Sequence, residues 1–127
     1  MAASGSWLQE LLYTLLRAVS GLCLCVHGLQ KLVGLFGAAR PALGSQLWFG
    51  GLIEASCGLA IALGLSRWAA LLASGTMAAA YVQFHWKLAW DARLVPVVNK
   101  GELALVYCLL FAYFAARGNG RWSVRSS

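Results

Sequence analysis

Four apolar runs fill most of this chain, and they limit what it can fold into more than any other feature. They extend from about Leu8 to Lys31, Leu47 to Leu65, Trp68 to His85 and Gly101 to Ala116. A membrane helix needs roughly 20 apolar residues, and the runs reach or approach that length. In lipid every backbone polar group must find a partner, so spans are helices or closed barrels. Barrel strands alternate in polarity over about ten residues, whereas these runs are longer and continuously apolar. The pattern predicts an all-α protein, an integral membrane four-helix bundle, as a single domain over residues 1–127. Ser66-Arg67, the whole turn between the second and third runs, forces an antiparallel hairpin. The other connections are longer: residues 32–46 carry Gly34, Gly37, Pro41 and Gly44, and residues 86–100 carry Asp91, Arg93, Pro96 and Asn99.

Composition agrees. Hydrophobic residues make up 61% and charged residues 11%, against about 45–50% and about 25% in soluble domains. Disorder needs the opposite balance. A net charge of +6 on a soluble chain would suggest nucleic acid. Here the basic residues are scattered over connecting segments and form no face that could track a phosphate backbone. They read as membrane-flanking charge, with the bilayer as partner and no nucleic acid. Cys23, Cys25, Cys57 and Cys108 form no CxxC, no haem attachment motif and no zinc spacing. Buried cysteine behaves as a small hydrophobe, so no metal site is expected. Trp7, Trp48, Trp68, Trp86, Trp90 and Trp122 mostly lie near run ends, as in an aromatic belt. No Lys or Arg precedes the first run, which therefore reads as a retained helix rather than a signal peptide. Arg67, Arg117, Arg121 and Arg125 fall on one side, and Lys31, Arg40, Lys87, Arg93 and Lys100 on the other. That balance is nearly even, and the compact charge of the tail tilts the reading to cytoplasmic N- and C-termini.

Ionisable groups inside spans are costly and mark function by default. Here they are Arg17, His27 and Lys31 in the first run, Glu54 in the second, His85 ending the third and Glu102 starting the fourth, with Asn99 and Lys100 just ahead of it. At the helical rise, His27 lies about 6 Å and Glu54 about 10 Å inside the boundary on the long-loop side. His85, Asn99, Lys100 and Glu102 lie close to that boundary, so separate segments contribute to one polar layer. Arg17 lies deeper, roughly 20 Å from the same boundary. An unpaired arginine there is expensive, so an Arg17–Glu54 pair or shared network is expected. Arg17, Gly21, Leu24, Gly28 and Lys31 share one helix face by 3–4 spacing. Its glycines leave room for a ligand or for a neighbouring helix. Gly50, Gly51, Ala55 and Gly58 in the second run, and Ala69, Ala70, Ala73, Gly75 and Ala78 to Ala80 in the third, suit close helix seams. Blander roles stand beside these. Lys31 and Lys100 suit snorkelling to head groups, His85 beside Trp86 suits the interface, and Glu102 suits a helix N-terminus.

These residues, taken in order, resemble the DoxX family of small membrane proteins. Arg17-x3-Gly21, His27-Gly28-x2-Lys31-Leu32 and Gly34-x-Phe36-Gly37 are similar to its opening. Gly51-Leu52-Ile53-Glu54, Gly58-Leu59 and Leu63-Gly64-Leu65 resemble its second-helix glutamate segment. Met77-Ala78, Ala80-Tyr81 and His85 fit its third helix, and Asn99-Lys100-Gly101-Glu102-Leu103-Ala104-Leu105 with Tyr107 the start of its fourth. Gly118-Asn119-Gly120-Arg121-Trp122-Ser123 resembles its closing tail. The family tail usually continues with an acidic residue two after the serine, where Arg125 stands. The resemblance implies a four-helix protein of a bacterial-type inner membrane. Some relatives are subunits of a thiosulfate:quinone oxidoreductase, and others are linked to membrane responses to oxidative stress.

Three functions fit this reading. The first is a redox subunit that binds a quinone or a small sulfur compound in a polar site within one leaflet. Histidine and a desolvated carboxylate exchange protons near neutral pH, which suits His27, Glu54 and His85. Arg17 or Lys31 suits an anionic substrate. The chain has no flavin motif and no iron–sulfur cysteine set, and a bis-histidine haem would consume both His27 and His85, so haem is disfavoured. Electrons would then come from a partner protein. The second is a non-catalytic assembly or binding subunit, in a complex or a homo-oligomer. The third is a small transporter, although no internal repeat supports it. No nucleophile with an adjacent base is evident, so no catalytic residue is assigned.

Overall fold

The computed structural model describes residues 3–125. Its regular elements are all helical, with no strand among the described residues. Helix α1 is Ala3–Val33, α2 is Gln46–Leu63 and α3 is Arg67–Ala80, which runs on into a π-helical turn at Tyr81–Trp86. The single turn α4, Pro96–Asn99, precedes α5, Glu102–Arg117. Stretches Ser6–Val33 and Gln46–Leu63 are long and apolar enough to cross a membrane.

Local chemistry sets these ends. Ser45 caps α2 by accepting from Trp48 N, and Ser66 caps α3 by accepting from Trp68 N. Helix α2 stops at Leu63 rather than at Leu65 because Gly64 takes a left-handed conformation, φ 69°. At the other end the described part of α1 already includes Ala3–Trp7, ahead of Leu8. In the 86–100 connection, the Arg93 guanidinium binds Asp91 and holds its carboxyl down at about 2.

Helices α1 and α2 pack against each other, as do α3 and α5, and α2 joins the pairs by its contact with α3. The α1–α2 seam is built from glycines seven residues apart on each helix, Gly21 and Gly28 against Gly58 and Gly51. A Cβ on Gly21 would stand 2.5 Å from Ala62 N and 2.6 Å from Gly58 O. One on Gly58 would stand 2.6 Å from Gly21 O, and one on Gly28 2.6 Å from Gly51 O. Backbone meets backbone, so the room these glycines leave on the Arg17–Lys31 face is taken by a helix and not by a ligand. The α3–α5 seam interleaves Ala70, Ala73 and Met77 with Phe111 and Phe114, and Ser74 Oγ donates to Cys108 O at 2.7 Å. Outward, Leu12, Leu15, Val19, Leu52, Leu59, Leu71, Leu72, Val106 and Leu109 are exposed.

The end holding the α2–α3 turn is tied by polar groups. Arg67 donates to Ala115 O at 2.7 Å and Ala116 O at 2.5 Å, closing the C-terminus of α5. Tyr13 OH donates to Gly118 O at 2.5 Å, and the Arg117 guanidinium lies 3.7 Å over the Tyr13 ring. Glu10 pairs with Arg117 and accepts from Arg121 N at 3.0 Å.

Candidate functional site

Glu54 is buried in the second turn-pair of α2, and its carboxylate does not meet Arg17. It forms an ion pair with Lys31 of α1. Arg17 lies at the far end of α2, where Nε donates to Ile61 O at 3.0 Å and Nη2 reaches Ala62 O at 3.4 Å. Nη1 donates to Asn119 O at 2.6 Å and Nη2 to Trp122 O at 3.0 Å. The expected Arg17–Glu54 pair is therefore corrected. Antiparallel packing sets Arg17 beside Ile61 and Lys31 beside Gly51, so a side chain at position 17 faces the wrong end of α2. The arginine is 4% exposed yet needs no carboxylate, because the open carbonyls of a helix C-terminus carry negative partial charge.

The same guanidinium fastens the tail. Val124 N donates to Leu63 O at 2.9 Å and Arg125 N to Gly64 O at 3.1 Å, while the buried Asn119 side chain donates to Arg125 O at 2.6 Å. Arg125 thus contributes backbone, and its side chain is exposed. Asn119 carries more structure than its sequence signal, one polar residue in a glycine-rich tail, suggests.

The polar layer lies at the opposite end, around Lys31–Glu54. Two clefts open on this pair. One, of about 360 Å³ between α2 and α3, has Phe49, Ile53, Met77 and Phe84 as apolar wall and Gln83 and His85 beside the pair. The other, of about 280 Å³ between α1 and α5, brings His27, Lys100, His85 and Tyr107 to the same pair. His85 reaches both because it sits in the π-helical turn, whose ring face stacks on Tyr81 with centroids 6.5 Å apart. Such wide turns recur at functional sites.

The structure thus gathers His27, Lys31, Glu54, His85 and Lys100 and leaves three expected residues outside the clefts. These are Arg17, Asn99 and Glu102. Asn99 is a loop organiser: its amide donates to Tyr81 OH at 3.0 Å and Arg93 O at 2.8 Å, and its Oδ1 accepts from Gly101 N at 2.8 Å. Glu102 is exposed at the start of α5. Gln83 was missed by sequence reasoning. Its signal was a polar side chain inside the third apolar run, and Gln46 Nε2 now donates to it across the cleft mouth at 2.5 Å.

Removing one member of the pair strands the other. The Lys31 side chain is 33% exposed and that of Glu54 5%. Lys31→Met is therefore expected to cost stability near the lower end of the range of about 3–5 kcal/mol for a broken buried pair. Lys31→Met with Glu54→Leu should recover most of it, since two apolar groups leave no orphan charge. Thermal unfolding in a mild detergent reads both. A double variant no better than the single one sinks the account.

A family model, DoxX, matches residues 12–86, from α1 through the π-helical turn. The chain belongs to the DoxX family. DoxX proteins are membrane-associated. The matched stretch includes Arg17, His27, Lys31, Glu54 and His85. An uncharacterized protein of Haemophilus influenzae is 36% identical to this DoxX protein over 111 residues, which covers 83% of this chain and 81% of its own length. No solved structure matches the chain.

Proposed function

We propose that this DoxX protein is a multi-pass subunit of a membrane redox system and that the cleft between α2 and α3 binds a quinone. The observation that carries the reading is a buried carboxylate, Glu54, held by Lys31 at the foot of an apolar-walled cleft. A quinone is a flat apolar ring with two carbonyl acceptors, and it needs donors at its edges and a way to exchange protons. Phe49, Ile53, Met77 and Phe84 supply the apolar walls, and Lys31 on α1 with Gln83 and His85 on the π-helical turn supply donors. Glu54 and His85 are side-chain types that take and return protons. The exposed apolar outer faces of all four long helices suit lipid rather than water. The protein lies in a bacterial-type inner membrane with both termini in the cytoplasm, and a partner subunit delivers the electrons.

The test is organic extraction of protein purified in mild detergent, followed by mass spectrometry. A stoichiometric quinone is expected, and it is lost on Glu54→Gln. A small sulfur compound in its place keeps the redox reading and changes the ligand. Empty wild-type protein removes the reading and leaves a non-catalytic assembly subunit or a small transporter.

A further inference from the structure

The second cleft, between α1 and α5, has a different character from the first. It meets the same Lys31–Glu54 pair from the other side, but its remaining polar lining is basic or hydroxylic: His27 on α1, His85 on the π-helical turn, Lys100 ahead of α5 and Tyr107 on α5. The one carboxylate in it, Glu54, is already committed to Lys31. Buried Leu24 and Ala104 give it an apolar floor, and half-exposed Leu103 lines it beside them.

Lys100 is held there by the loop. It has φ 63°, a left-handed conformation that a lysine adopts at a cost. Asn99 fixes it, clamping Tyr81, the Arg93 carbonyl and Gly101 N around the turn. Gly101 must be glycine for this turn to close: a Cβ there would stand 2.7 Å from His85 Cβ and 2.8 Å from Asn99 Oδ1. The left-handed residue is the C-terminal cap of α4, its N–H donating to the Pro96 carbonyl. The capped turn leaves a cationic side chain among the residues lining a cleft whose own carboxylate is paired with Lys31.

We propose that the cleft between α1 and α5 is a seat for a small amphiphilic monocarboxylate, its carboxylate between Lys100 and His27 and its apolar body over Leu24, Leu103 and Ala104. This site goes beyond the quinone reading, because Lys100 and His27 do not line the cleft between α2 and α3. An uncharged amphiphile of the same length gains only the floor. An inorganic anion gains only the rim.

Isothermal titration of the full chain in an uncharged detergent with octanoate, octanol and inorganic phosphate tests this. Octanoate is expected to bind, and the other two to bind at least about tenfold more weakly. Lys100→Met and His27→Leu should each weaken octanoate about tenfold, the worth of one hydrogen bond to a charged group. Lys100 and His27 are both exposed, so the melting temperature should not move. Octanol binding as well as octanoate, phosphate binding as well as octanoate, or unchanged affinity in Lys100→Met overturns the proposal. Quinone content is read separately on the same samples. Its absence removes the proposed function and leaves this seat standing, and its presence without octanoate binding does the reverse.

Discussion

Gly58→Val is expected to leave no properly folded protein, the largest effect of any single change in this chain. A Cβ at position 58 would run into the backbone N of Cys25 and stand 2.6 Å from Gly21 O and 2.9 Å from Cys25 Cα. None of these atoms belongs to a flexible side chain, so the clash is relieved only by parting α1 from α2. Overpacking a core usually costs about 1–3 kcal/mol, and a backbone obstacle should exceed that range. The parted helices also lose their reciprocal contacts at Gly21, Gly28 and Gly51. Fluorescence-detected size-exclusion chromatography reads the outcome as loss of the monodisperse peak. Gly75→Ala is the control: nothing lies within 4 Å of a Cβ there, and alanine is the better helix former. A monodisperse Gly58→Val protein with wild-type melting would show that the α1–α2 seam is not what the glycines are for.

The long helices lie close to the apolar runs because such runs and the short Ser66-Arg67 turn are local signals, whereas the caps at Ser45 and Gly64 that set the ends of α2 are not legible in the run lengths. The one-faced pattern Arg17, Gly21, Leu24, Gly28 and Lys31 is legible, since 3–4 spacing fixes a face without knowing what it meets. What it meets is not local. The glycines could have bordered a ligand, and only the register of α1 on α2 shows that they border Gly51 and Gly58.

The same register explains why the arginine was misassigned. Counting residues places Arg17 deep in the first run and Glu54 in the second, and a charge argument then pairs them. A buried guanidinium needs no carboxylate where carbonyls supply its acceptors. The C-terminus of α2 presents carbonyls to Arg17, and the tail returns to present more, from Asn119 and Trp122. A tail placed roughly a hundred residues away in sequence leaves no periodic trace. The gathering of Lys31, Glu54 and His85 was legible as shared depth, whereas the two separate clefts around them depend on the π-helical turn and on the Asn99 loop, neither of which has a sequence signature.

Arg17→Met should free the C-terminal tail while leaving the Lys31–Glu54 end intact. Three carbonyls, those of Ala62, Asn119 and Trp122, lose their donor, while Ile61 O keeps its bond from Gly64 N at 3.1 Å. Each unsatisfied buried group costs about 1–3 kcal/mol, and water admitted as the tail lifts recovers part of that. The expected net loss is about 3 kcal/mol or more, second only to the glycine seam. Because Val124 and Arg125 hold to Leu63 and Gly64 through the same corner, the tail should lose hydrogen-exchange protection over residues 118–125 and become open to protease first. Arg17→Lys should fall between, since one ammonium can reach some of these carbonyls but cannot span them as a planar guanidinium does. A double-mutant cycle with Glu54→Gln decides between the carbonyl clasp and a distant ion pair. Groups that share no partner add within about 0.3–0.5 kcal/mol, so coupling in that range is expected. A coupling above about 1 kcal/mol, the sign of a shared network, would return Arg17 to Glu54 and undo the assignment of the two ends.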